Sequence, residues 1–210
     1  MHLPMFPLGA VLLPGEALPL QVFEPRYRQM VEYCTAAPDR MRFGVVLISR
    51  GHEVGGGDER TDVGTTARIV EYRPGAGGRM LLGCVGERRI RVRRWLPDDP
   101  YPQAEVEEWP DEGSVIGASA AAEVDARVDE LGEVAAELAR VGGGRAPDYP
   151  GLRSLPGGPG EQALALAALL PLGAADRLRV LAAPGPGERL VVLADALADV
   201  IAAARFRLSD

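Results

Sequence analysis

The apolar residues of this 210-residue chain change their period once, near Pro110. Before it, short apolar runs are cut by proline and glycine; after it, apolar residues recur at spacings of three and four. The first pattern belongs to strands and the second to amphipathic helices. A chain that keeps the two patterns in separate halves folds as α+β, sheet first and helices second. Two parts follow from this: residues 1–110, built on a small barrel or coiled sheet closed on itself, and residues 111–210, a bundle of about four helices.

In the first part, Met5–Leu8 and Leu18–Phe23 are strand candidates. Pro7, Pro14 and Pro19 lack an amide donor, so these strands should be interrupted or lie at an edge. Glu24-Pro25 opens the only early helix, because proline suits the first helical position. Tyr27, Met30, Val31 and Cys34 then fall on one apolar face. Phe43–Ile48 is continuously apolar, which suits a strand covered on both sides. Residues 50–62, with Gly55-Gly56-Gly57, read as a mobile loop. Strands are expected at Gly64–Arg73, Arg79–Val85, Arg88–Trp95 and Tyr101–Trp109. In Arg88–Trp95, Ile90 and Val92 should point inward and Arg89, Arg91 and Arg93 outward.

In the second part, Ser119–Val141 reads as a long helix, followed by a flexible Gly/Pro-rich loop at about 142–160. Helices are expected at Glu161–Leu170 and Ala174–Ala183, with a last one opening at Pro186. The spacing of that last helix also permits a homo-oligomer.

The chemistry is bounded mainly by what is missing. All 23 basic residues are arginine, and there is no lysine. A phosphate-loop ATPase, a Ser-Lys protease dyad and a lysine Schiff base are therefore excluded. No G-x-S-x-G or H-E-x-x-H motif is present. His52-Glu53 could serve as a general base or metal ligand, but no Cys, Ser or second His stands beside it in sequence, so an exposed loop histidine is the plainer reading. We expect no catalytic residue, no metal and no cofactor.

The net charge is −7, with 14 Arg against 15 acids in residues 1–110 and 9 Arg against 15 acids beyond. That balance argues against nucleic acid as a partner, since phosphate contacts dominate its affinity. One basic cluster, Arg88–Arg94, leaves an RNA-binding alternative through Arg89, Arg91 and Arg93. Cross-strand pairing with Glu105, Glu107 and Glu108 would absorb the same charges. Cys34 and Cys84 form no C-x-x-C pair and read as buried thiols in a reducing cytoplasm. Neither a signal peptide nor a bilayer-length apolar run is visible, so a cytoplasmic protein without a membrane partner is expected.

The opening stretch, from Leu3-Pro-Met-Phe-Pro-Leu-Gly9 through Phe23-Glu-Pro-Arg-Tyr27, resembles the substrate-binding N-terminal domain of the Lon protease family. The resemblance continues in family order through Phe43-Gly-Val-Val-Leu-Ile48, Arg50-Gly-His-Glu-Val-Gly55 and Val63-Gly-Thr-Thr-Ala-Arg-Ile69. Gly86-Glu-Arg-Arg-Ile-Arg-Val92 and Pro100-Tyr-Pro-Gln-Ala-Glu-Val106 complete it. It implies a PUA-like β pseudobarrel followed by helices, in a stand-alone member without the ATPase and peptidase domains. It further implies a non-catalytic polypeptide-binding module, an adaptor or regulator in proteolysis or protein quality control. Its partners would be unfolded or degron-bearing polypeptides and a protease or chaperone.

Unfolded chains expose apolar side chains and unpaired backbone, and a strand edge beside an apolar groove recognises both. The proline-interrupted first strands can leave such an edge open. The groove is expected among Phe6, Leu12, Leu13, Phe23 and Tyr27, rimmed by Arg26. The competing expectation is that these residues seal the barrel.

Overall fold

The computed structural model describes residues 1–51, 53, 57–113 and 117–209. They form two compact units, Met1–Pro110 and Asp111–Asp210.

The first unit holds β1 (His2–Leu8), β2 (Ala17–Val22), α1 (Pro25–Thr35), β3 (Arg42–Arg50), β4 (Glu59–Pro74), β5 (Met80–Leu96) and β6 (Gln103–Glu108). Strand order is β2-β5-β4-β3-β1-β6, and β6 also pairs with β5. Five strands thus close into a ring, and β2 hangs outside it on the first half of β5. The pseudobarrel is built of antiparallel pairs except for β1 and β3, which run parallel. A parallel pair needs a crossover, and here β2 and α1 supply it.

Alternation along β1 and β3 explains the core. Leu3 and Met5 join Val46, Ile90, Val92, Ala104 and Val106 inside the ring. Phe6, Leu8, Phe43 and Val45 face the other way, onto Tyr27, Met30, Val31 and Cys34 of α1. Both strands are therefore covered on two faces, which is why Phe43–Ile48 carries no polar alternation. Inside the ring, a Cβ on Gly44 would meet Met5 Sδ at 2.5 Å, so the layers sit close enough that any larger residue would make the Met5 side chain turn aside. Pro25 begins α1, as its sequence predicts, and the helix buries the expected face.

Three local expectations are corrected. The stretch expected as a loop to Asp62 ends earlier, because β4 already starts at Glu59 and pairs with Arg50. Register shifts between Val46 and Arg50 absorb the irregularity, and the polar residues there lie on an exposed margin. Arg79–Val85 and Arg88–Trp95 are one strand of 17 residues, since Gly86 continues the ladder rather than breaking it. Arg89 does not point to solvent: it is buried, with its guanidinium 4.5 Å from the ring centroid of Trp109.

The second unit holds α2 (Ala118–Gly142), α3 (Pro159–Leu169), α4 (Ala174–Ala182) and α5 (Pro186–Ser209). Helix α5 packs against the other three. Helix α2 ends on Gly143 at φ 69°, the left-handed conformation that glycine adopts without cost. In the connection that follows, Leu152 is buried and its amide donates to Asp125 Oδ1 at 2.7 Å. Arg189, in the first turn of α5, is fully buried. Its Nη2 donates to Asp111 Oδ1 at 2.6 Å and its Nη1 to Asp111 Oδ2 at 2.9 Å and to the Gly160 carbonyl at 3.1 Å. A fourth bond, 3.5 Å long, reaches the Ala183 carbonyl. One guanidinium thus ties the chain entering the unit to the starts of α3 and α5 and the end of α4.

Cys34 and Cys84 are free thiols in the same core. Burial pushes both thiols from 9.0 up to about 12, the charge of Cys84 adding to the effect on Cys34, and burial likewise lifts Tyr27 from 10.0 to about 12. Raised folded values mean that the unfolded chain releases protons first. The stabilisation is complete below pH 9 and is lost progressively as pH climbs towards 12. A denaturant midpoint that falls between pH 8 and pH 10.5, with a shallower fall in a Cys34→Ala, Cys84→Ala double variant, is the expected result. A midpoint that does not depend on pH over this span would contradict it.

Candidate functional site

Helix α1 and strand β2 frame a cavity of about 210 Å³. Its floor is Phe6, Leu8, Val22 and Tyr27; Leu20 and Phe23 stand at one side, and Glu24 and Glu53 at the rim. The floor is rigid. Phe6 and Tyr27 stack with centroids 4.1 Å apart at 10°, and Phe43 lies against Phe6 at 5.9 Å. Such contacts lock rotamers and add to area burial.

Arg26 lies over the Tyr27 ring, 4.5 Å from its centroid. Its Nε donates to Glu24 Oε2 at 3.1 Å and its Nη2 to the Glu53 carbonyl at 3.3 Å. The Glu53 carboxylate accepts from the Gly9 amide at 2.5 Å. The guanidinium therefore clamps the segment after β3 to the start of α1, and folds back over the cavity wall. Further along, Arg60 lies over the Trp95 ring and bridges Asp58 and Asp98. Its partners hold its protonated form more firmly than usual, and Arg60 in turn keeps the Asp58 carboxyl below the ordinary range although burial opposes this.

The structure brings together four of the six residues expected at a groove: Phe6, Phe23 and Tyr27 line the cavity and Arg26 braces it. Phe23 is 55% exposed, the most accessible aromatic of the first unit. Leu12 and Leu13 are elsewhere. Both are buried, and the expectation that they line the groove is corrected. The Leu12 carbonyl accepts from Thr65 Oγ1 at 2.7 Å, and the Leu13 amide donates to Glu16 Oε2 at 3.0 Å. These bonds press the segment after β1 onto the ring, so its leucines seal the core instead. Glu53, Leu8 and Val22 were not expected at the site. Glu53 carried no signal beyond its place beside His52, and His52 lies outside the described residues.

The arginine strand is occupied by its neighbours. Arg94 pairs with Glu105 at 2.6 Å, Arg88 with Glu108 and Arg93 with Glu107. Arg91, like Arg89, lies over the Trp109 ring. These pairs are exposed and each adds little to stability, but they cancel the positive field that RNA would need. Among the described residues, no group of three His, Cys, Asp or Glu could hold a metal ion, and no helix is long and apolar enough to cross a membrane.

A ring of five strands with β2 paired outside it and one early α-helix, followed by a helical unit, defines the class of fold in which this small aromatic cleft is set. The family model for the ATP-dependent protease La (LON) substrate-binding domain matches residues 2–199. The chain belongs to this Lon substrate-binding domain family. Among solved structures it is similar to a Lon N-terminal domain protein from Xanthomonas campestris. That likeness has 31% identity and a TM-score of 0.62, and it covers 92% of this chain and 96% of that one. The fold also matches the N-terminal domain of the Mycobacterium avium complex Lon protease, at 21% identity and a TM-score of 0.64, over 95% of this chain and 99% of that one.

Proposed function

We propose that the protein is a non-catalytic polypeptide-binding module that takes unfolded or degron-bearing chains at the α1–β2 cleft, and serves proteolysis or quality control as an adaptor or regulator. The observation that carries this is the juxtaposition of exposed Phe23 with a rigid apolar floor of Phe6, Leu8, Val22 and Tyr27. Membership of a substrate-binding family supports it. So does scale: a cavity of 210 Å³ is below the roughly 300–1,000 Å³ of small-molecule sites and suits a single side chain of a longer ligand.

The test is fluorescence anisotropy with labelled denatured proteins and no nucleotide. Saturable binding is expected with a Kd on the order of tens of micromolar. Phe23→Asp should weaken it about tenfold or more, because a desolvated aromatic anchor is worth at least ~1.4 kcal/mol. The melting temperature should change far less than the affinity, since more than half of Phe23 is already exposed. Absence of saturable binding by the unmodified protein would reject the proposal.

A further inference from the structure

The edge of β2 makes a sharper statement possible, one that rests on the polypeptide-binding reading above. Gly15 donates to the Gly86 carbonyl and Gly86 donates to the Glu16 carbonyl. From there Ala17 faces Val85, Leu18 faces Cys84, Pro19 faces Gly83 and Gln21 faces Leu81. Antiparallel pairs alternate between bonded and non-bonded. Leu18, Leu20 and Val22 therefore spend their backbone groups on β5, while Ala17, Pro19 and Gln21 turn theirs outward. Pro19 falls where its missing N–H costs the β2–β5 ladder nothing. Among the described residues no second strand covers this edge.

The two faces of that edge differ. The inner face opens on the apolar cleft, with Glu24 and Glu53 at its rim. The outer face opens on a shallow second cavity of about 520 Å³ that includes Glu71 and Arg73. A strand added beside β2 would send alternate side chains to the two faces. We propose that β2 accepts an extended client segment as an extra strand, with a branched aliphatic side chain entering the cleft and an arginine or lysine two positions away meeting Glu24 and Glu53. The residues between them lie over the outer cavity, where Glu71 and Arg73 balance and select no charge. Charge complementarity fixes the occupant. The rim carries two carboxylates against one guanidinium, Arg26, which pairs with Glu24, so the balance is negative. Glu53, whose Oε1 also accepts from the Gly9 amide, is the carboxylate without a cationic partner among the described residues.

The probe is the labelled heptapeptide acetyl-Ser-Arg-Thr-Leu-Thr-Arg-Ser-amide, which has arginine two positions from leucine on both sides and so fits either strand direction. Two analogues carry N-methyl groups on alternate amides. One set should lose binding about tenfold, for two backbone hydrogen bonds of about 0.7 kcal/mol each, while the other set binds like the parent. Replacing both arginines by glutamate should also weaken binding about tenfold, and the loss should largely vanish in a Glu24→Gln, Glu53→Gln variant. Equal affinity of the two methylated sets overturns strand addition. Tighter binding of the acidic peptide overturns the charge assignment. A concentration-dependent dimer that the peptide does not dissociate would assign the edge to a second copy and overturn the proposal. Binding of denatured proteins without binding of the heptapeptide defeats this inference alone; failure of both ligands defeats the broader reading as well.

Discussion

Asp111→Ala should lower the stability of the helical unit by about 3 kcal/mol and its melting temperature by roughly 10–20 °C. Asp111 accepts both terminal nitrogens of Arg189, whose side chain is 0% exposed while that of Asp111 is 32% exposed. Removing the carboxylate strands a buried cation with only the Gly160 and Ala183 carbonyls, and its Nε already lacks a partner. The exposure of Asp111 places the loss at the low end of the range for buried pairs. The cause is the stranded charge, so adding Arg189→Met to Asp111→Ala should recover part of the loss. Calorimetry that finds the double variant no more stable than Asp111→Ala would assign the effect to packing instead.

Gly64→Ala and Gly86→Ala should each destabilise the barrel unit by about 3 kcal/mol. A Cβ on Gly64 would lie 2.1 Å from the Val45 carbonyl oxygen, and one on Gly86 would lie 2.3 Å from that of Leu13. Both obstacles are backbone, so a ladder must part or the segment after β1 must lift. Gly44→Ala is the control. Its obstacle is the Met5 thioether, which can turn, and a loss of about 1 kcal/mol is expected. Chemical denaturation of the three variants checks the order; equal losses at all three would remove the distinction between backbone and side-chain obstacles.

Much of this architecture is legible in the sequence because its signals are local. The Tyr27, Met30, Val31, Cys34 stripe fixes the buried face of α1, and Pro25 its start. Doubly apolar Phe43–Ile48 announces a strand between two layers. What escaped depends on distant partners. Leu12 and Leu13 look like groove residues until Thr65, 53 positions from Leu12, is seen to pin that backbone to the ring. Arg89 reads as outward from alternation alone, yet the Trp109 indole covers it. Arg189 sits beside Leu190 in an ordinary helical start, and nothing nearby in sequence announces Asp111, 78 positions away. At the site, the aromatic members were legible and the rim was not. Phe6, Phe23 and Tyr27 announce themselves by size, whereas Glu53 is held at the cleft by Gly9 and Arg26, 44 and 27 positions away.

Strands β1 and β3 are direct neighbours in the ring, yet residues 9–41 intervene between them. That excursion carries β2 and α1, and hence most of the cleft. The cleft is therefore carried largely by the crossover rather than by the ring strands, and, on the function proposed above, substitutions at its exposed lining would retune client preference while the buried residues of the same segment keep the ring covered. A strand held from one side frays before those held from two. Amide exchange at Ala17 and Gln21 should accordingly be among the fastest of any strand, and its slowing would report a docked client directly.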